Sequence, residues 1–180
     1  MMPNAEACGN AWFVNNVKVV ENADQEMLSM NAENLGDTAK VVNAFRPKET
    51  AIVQKKNWKQ TVTSFIKDSS SNVKLIKYGL NDLSFDSNNS KDGFVVFADI
   101  YYPLGWKAYV DDKETEIVKT NYIVRGLYLT AGKHKIDFKF HPDTYFKWNM
   151  PSLISSILIL LVLVGGIGLG IKEEMSKKEA

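Results

Sequence analysis

Six aromatic residues, Tyr101, Tyr102, Trp106, Tyr109, Tyr122 and Tyr128, crowd into one short stretch of this chain. Aromatic faces stack on sugar rings, and phenol hydroxyls exchange hydrogen bonds with sugar hydroxyls. Tyr101, Tyr102 and Trp106 are therefore candidates for sugar contact. The competing expectation is that the rings fill a core. Strand alternation puts Trp106, Ala108 and Val110 on one face, which favours the core for Trp106. Tyr102, beside the Pro103–Gly105 turn, is the ring expected to project from the rim.

Other chemistry-bearing residues lead less far. His134 and His141 stand seven apart, on opposite faces of one extended strand, so they do not share a metal. His134 reads as a structural residue beside a turn. Neither histidine has a Ser or Cys near it in a nucleophile setting. Asp99, Asp111 and Asp112 invite an acid–base role, but Asp111-Asp112-Lys113 falls where a hairpin turn is expected, and short acids favour turns. The single Cys8 excludes an internal disulfide framework and a Cys-based zinc site. No Gly-rich loop joins a strand to a helix, so a phosphate cradle is unsupported. Asn88-Asn89-Ser90 fits a glycosylation acceptor pattern, which is common by chance. A net charge of +1 gives no field for nucleic acid. The expectation is no metal and no cofactor.

The elements that would hold these residues are mostly strands. The predicted strands are Trp12–Val20, Ala51–Gln54, Val73–Tyr78, Asp82–Asp86, Gly93–Ile100, Trp106–Val110, Glu114–Val118, Tyr122–Leu129 and His134–Phe140. In the last, Ile136, Phe138 and Phe140 alternate with Lys135, Asp137 and Lys139, the period of a half-buried strand. Polar turns are expected at Asn88–Asp92, Pro103–Gly105, Asp111–Lys113 and Ala131–Lys133, and a loop at Asp68–Ser71. Asn22 caps a short predicted helix, Ala23–Met30, with Asp24 and Glu26 in the turn where the helix dipole favours acids. The fold expected is mainly β. Residues 1–71 form a small mixed α/β part, and residues 72–147 form an antiparallel β-sandwich or jelly roll.

Leu153–Ile171 (LISSILILLVLVGGIGLGI) has no charge, and 13 of its residues are Leu, Ile or Val. At about 1.5 Å per residue it is roughly 28 Å long as a helix, close to the hydrocarbon thickness of a bilayer. Residues 152–171 are read as a transmembrane helix and 172–180 as a short tail. Gly166 and Gly170 give a GxxxG spacing, weak evidence for helix packing in so Gly-rich a run. Lys172, Lys177 and Lys178 place the tail in the cytoplasm by the positive-inside rule, with Lys147 and Trp148 as interfacial anchors on the other side. The main domain is then extracytoplasmic, although Met1–Asn10 has no apolar signal region. Two readings answer this. The chain is tail-anchored with a cytosolic domain, or it is the C-terminal piece of a longer protein with upstream transmembrane helices.

The stretches YYPLGWKAYVDDK (101–113), NYIVRGLYL (121–129) and AGKHKIDFKFHP (131–142), followed by an apolar span, resemble the C-terminal region of YfhO-type bacterial membrane proteins. GNAWFV (9–14) and FRPKETAIV (45–53) resemble its beginning. The departures are Leu104 inserted between Pro and Gly, Asp112 in place of the turn glycine, and Gly126 where the family often has alanine. Asp112 strains the turn if that position needs positive φ. The resemblance implies a many-span glycosyltransferase of the GT-C superfamily, moving sugar from a polyprenyl-phosphate carrier onto a cell-envelope polymer. The family's catalytic acid lies among helices this chain does not contain, so no catalytic residue carries over. The partners it implies are the lipid bilayer, upstream membrane helices and an envelope glycopolymer, in the bacterial cytoplasmic membrane. The expected role is an accessory domain that is not active alone. The alternative is a membrane-anchored binding or scaffold module with no part in sugar transfer.

Overall fold

The computed structural model describes residues 7–30, 45–66 and 71–178. The expected loop residues 68–70 and the first six residues of the N-terminal stretch lie outside them. The chain divides into two units, Met1–His141 and Pro142–Ala180.

The first unit is built around β6 (Gly93–Ile100). Its run Gly93–Phe97 is buried throughout, which is what an apolar run without alternation requires: both faces are covered. One face, Val95 and Phe97, meets the main core; the other, Phe94 and Val96, meets a second one.

β6 pairs antiparallel with β1 (Ala11–Val14) and β10 (Val124–Leu129), and β10 with β9 (Val118–Thr120), giving the sheet β1-β6-β10-β9. A second sheet is ordered β4-β5-β11-β7-β8, from β4 (Asn72–Tyr78), β5 (Asp82–Asn89), β7 (Trp106–Val110), β8 (Lys113–Thr115) and β11 (Gly132–Phe140). The two pack as the expected antiparallel sandwich. Between them Phe85, Phe97 and Phe138 meet edge to face, with ring centroids 4.9–6.1 Å apart.

A third layer covers the outer face of the first sheet. β2 (Asn16–Val20) and β3 (Thr50–Gln54) pair in parallel. Val17, Ala51, Val53 and Phe65 pack on Phe94 and Val96, and Trp58 meets the Phe94 ring edge-on at 5.2 Å. The helix α1 (Ala23–Met30) is capped as expected: the Gln25 N–H donates to Asn22 Oδ1 at 2.9 Å.

Several boundaries differ from the sequence expectation: β5 runs on to Asn89 and β11 starts at Gly132, taking in parts of the turns expected at Asn88–Asp92 and Ala131–Lys133. Trp12–Val20 is two strands, broken at Asn15, because the chain leaves the first sheet there to join β3; the Asn15 and Asn16 N–H groups both donate to the Glu49 carbonyl. Glu114–Val118 is likewise split between β8 in one sheet and β9 in the other. Tyr122 belongs to a turn, with positive φ at Asn121 (47°) and Tyr122 (69°), and β10 starts only at Val124.

The second unit is the helix α2 (Asp143–Lys178), of 36 residues. Its stretch Asp143–Lys172 has the length and composition to cross a membrane, an 18-residue window within it reaching a mean hydropathy of 2.6. The helix starts well before the uncharged run and passes through Pro151. Ser155 and Ser156 turn their hydroxyls back to the Ser152 carbonyl at 2.9 and 2.8 Å, which hides polar groups inside an apolar helix.

Candidate functional site

The loop from Tyr101 to Gly105 joins β6 to β7 and is held by backbone bonds at three points. The Tyr101 N–H donates to the Ile123 carbonyl (2.7 Å), Trp106 N–H to Tyr102 (3.4 Å), and His141 N–H to Gly105 (2.7 Å). Gly105 is required here, since a Cβ would collide with the Phe140 ring.

This loop and the β8 edge enclose a cleft of about 260 Å³. Its walls include Tyr101, Trp106, Lys107, Glu114, Thr115 and Glu116. Two of the three expected sugar-contact residues, Tyr101 and Trp106, therefore share one concavity. Tyr102 does not line it. Its ring tilts against Phe140 at 6.3 Å and is largely exposed.

Trp106 is half-buried and packs on the main core, as alternation with Ala108 predicts. Its ring also meets Phe140 at 5.3 Å and the Arg125 guanidinium at 4.5 Å. Arg125 is nearly fully buried, with the Phe138 ring 5.0 Å from its guanidinium carbon. Its Nε donates to the Ile100 carbonyl at 3.0 Å, while Nη1 is buried without a hydrogen-bond partner among the described residues. Burial lowers the pKa of Arg125, and Asp99 and Tyr78 oppose that shift. The guanidinium remains charged. Arg125 is not among the residues expected from the sequence. The signal was present: it shares the inward face of β10 with Leu127 and Leu129, where a charged residue is out of place.

The cleft combines aromatic faces with Glu114, Glu116, Thr115 and Lys107, which accept and donate hydrogen bonds. Glu116 is also paired within the domain, its Oε2 accepting from Lys59 Nζ at 2.5 Å. A larger concavity of about 400 Å³ on the outer face of the second sheet is lined by Asn72, Lys74, Asp86, Asn88, Lys133 and Lys135 among others and has no aromatic wall.

The remaining candidates serve the fold. Asp111 and Asp112 form the expected β7–β8 turn, with φ of 50° and 64°. Asp111 Oδ2 lies 2.7 Å from His134 Nδ1, and Oδ1 accepts the Lys135 N–H at 2.9 Å. The bond from His134, then that from Lys135, lowers the Asp111 pKa. His134 Nε2 is 3.0 Å from the Thr130 carbonyl. Among the described residues no three His, Cys, Asp or Glu side chains are grouped to hold a metal ion.

The family described as bacterial membrane protein YfhO matches residues 27–150, more than half of the 180. This chain belongs to the YfhO family. The match takes in most of the β unit, including the whole cleft, and ends just before the uncharged run at Leu153. No curated protein and no solved structure matches the chain. The family and the apolar helix together make this a domain of a bacterial membrane protein.

Proposed function

We propose that the chain is the extracytoplasmic accessory domain and last membrane helix of a YfhO-like, polyprenyl-phosphate-sugar-dependent glycosyltransferase. The domain would hold the acceptor glycopolymer in the cleft, with Tyr101 and Trp106 as stacking faces and Glu114 and Glu116 as acceptors for sugar hydroxyls. The observation that carries this reading is the joining of Tyr101 and Trp106 in one cleft with those carboxylates. Tyr102, set apart from the cleft, has the weaker support as a sugar contact.

Two further features support it. β1 enters the domain at the end of the sandwich where β11 leaves it: the Ala98 N–H donates to the Asn10 carbonyl at 2.9 Å, two residues from the end of β6. Upstream membrane helices and α2 would then join the domain at one end. The lysines after Ile171 favour a cytoplasmic tail and hence an external domain. Alone, the chain should transfer no sugar.

The test is titration of the full chain in lipid nanodiscs with oligosaccharide fragments of envelope polymers. Tyr101→Ser and Glu114→Ala should each weaken binding about ten-fold or more, the loss of roughly 1.4 kcal/mol, with unchanged thermal melts. Glycan binding that survives both changes would remove the cleft from the account. Absence of any glycan binding would favour a scaffold module instead.

A further inference from the structure

Among the described residues Arg125 is the only buried cation, 3% exposed. A buried charge costs free energy unless its partners compensate. Here they compensate little. Nε has the Ile100 carbonyl, Nη1 has no hydrogen-bond partner, and no carboxylate among the described residues forms an ion pair with the guanidinium. An unbranched apolar side chain would fill the same space at lower cost. The fold alone does not call for a charge at this position, so its use lies in what the guanidinium holds.

It holds both aromatic walls of the cleft. The first hold is direct. The guanidinium carbon lies 4.5 Å from the centre of the Trp106 ring and 5.0 Å from that of Phe138. Phe138 is locked in the core against Phe85 and Phe97, whereas Trp106 is only half-buried at the start of β7. Arg125 thus fastens the less enclosed ring to the enclosed one. The second hold runs through the backbone. The Ile100 carbonyl and the Tyr101 N–H belong to one peptide unit. Arg125 Nε donates to its oxygen at 3.0 Å, and its N–H donates to the Ile123 carbonyl at 2.7 Å. With both polar ends engaged, the plane that leads into Tyr101 cannot turn freely.

The strand geometry serves the same end. Val124 pairs with Ile100 but Arg125 with Phe97, a register shift that leaves Ala98 and Asp99 as extra residues on β6. Bulges of this kind re-aim side chains. Arginine also suits the task by shape. It offers a flat face to a ring and a fork of N–H groups to a carbonyl, whereas a lysine ammonium is a point charge.

We infer that Arg125 is the positioning residue of the cleft, fixing Tyr101 and Trp106 in place as preorganised stacking faces. Walls already in place spare a ligand the cost of ordering them. The effect on binding rests on the cleft being the glycan site; the hold on the two rings does not.

The experiment uses the full chain in lipid nanodiscs, with Arg125→Met, Arg125→Lys and Tyr101→Ser beside the parent, and chitotetraose as a neutral oligosaccharide probe. Both Arg125 variants should melt within a few degrees of the parent and bind the probe about ten-fold more weakly, as lost preorganisation requires. In parallel, tryptophan is replaced by fluorotryptophan, and the Trp106 fluorine resonance is assigned by its loss in Trp106→Phe. It should be single in the parent and split or broadened in Arg125→Met, with Trp12, Trp58 and Trp148 unchanged. A single sharp Trp106 resonance in Arg125→Met would overturn the inference, and so would parent-like binding in either Arg125 variant. Unfolding of both variants would overturn it as well, since Arg125 would then be a requirement of folding. Tyr101→Ser separates this inference from the glycan reading: binding lost there but kept in Arg125→Met sinks the positioning role alone, and binding kept in Tyr101→Ser removes the cleft. In a parent that binds no chitotetraose, the Trp106 resonance alone decides.

Discussion

Asp112 has a φ of 64°, a left-handed backbone that favours glycine. An L-residue with a Cβ is disfavoured there by about 1 kcal/mol. Asp112→Gly should therefore stabilise the domain by roughly 0.5–1 kcal/mol, read as a raised melting temperature of the full chain in nanodiscs. Its neighbour Asp111 makes an opposite prediction. Bonds from His134 and Lys135 hold its pKa below the usual carboxylate value, so its folded pKa is depressed. The stability it contributes is present above the unfolded pKa of about 3.9 and is lost as pH falls through the lower folded value. The parent melting temperature should drop from about pH 4 downward. The drop should be smaller in Asp111→Asn. Equal acid sensitivity of the two would show that the carboxylate is not linked to folding. Gly126 has no room for a side chain. A Cβ would strike the Phe94 ring and Thr120 Oγ1, so a large ring at position 94 and a glycine at 126 belong together.

At the scale of elements, α1 is fixed by one side chain that its sequence advertised for another reason. Glu26 reads as a first-turn acid serving the helix dipole. In the fold it is fully buried, accepting from Gln54 Nε2 at 2.6 Å and from the Tyr122 N–H at 2.7 Å. It thereby ties α1 to β3 and to the turn before β10, whose Tyr122 has a φ of 69°. Glu26→Ala would leave the Tyr122 N–H and the Gln54 amide buried without partners, at about 1–3 kcal/mol for each unsatisfied group. A melt within a degree of the parent would contradict this role.

Local patterns carried the elements whose partners are uniform along their length. Gly93–Ile100, Trp106–Val110 and the capped helix Ala23–Met30 form with the expected bounds. Patterns failed where a strand changes partner. Nothing local marks Asn15 or Glu116 as the place where the chain passes from one layer to another. β5 runs on to Asn89 through polar residues because β11 pairs with it that far, Gly132 opposite Asn89. The site follows the same rule. Tyr101 and Trp106 were legible as ring faces, but Glu114 and Glu116 reach their cleft only through the β7–β8 hairpin, and no local spacing separates Tyr102 from Tyr101.

At the scale of the molecule, a three-layer β unit is followed by one long helix able to span a bilayer. One end of the β unit carries the polar Ser90–Asp92 and Asp111–Asp112 turns; the other carries exposed Leu80, Ile100 and Leu104 beside the Lys77–Asp82 ion pair. Family membership and that helix make it part of a bacterial membrane protein; the extracytoplasmic, glycan-holding role is our proposal for it. That proposal fixes a side of the membrane for every residue. Lys91, in the exposed turn at the polar end, and Lys177, after the apolar segment, are the discriminating positions. With the chain expressed behind the membrane helices that the proposal places before it and Cys8 replaced by Ser, intact cells would be treated with a membrane-impermeant maleimide. The account predicts that Lys91→Cys is labelled from outside and Lys177→Cys only after the cells are opened. Labelling of Lys177→Cys but not Lys91→Cys from outside would contradict it.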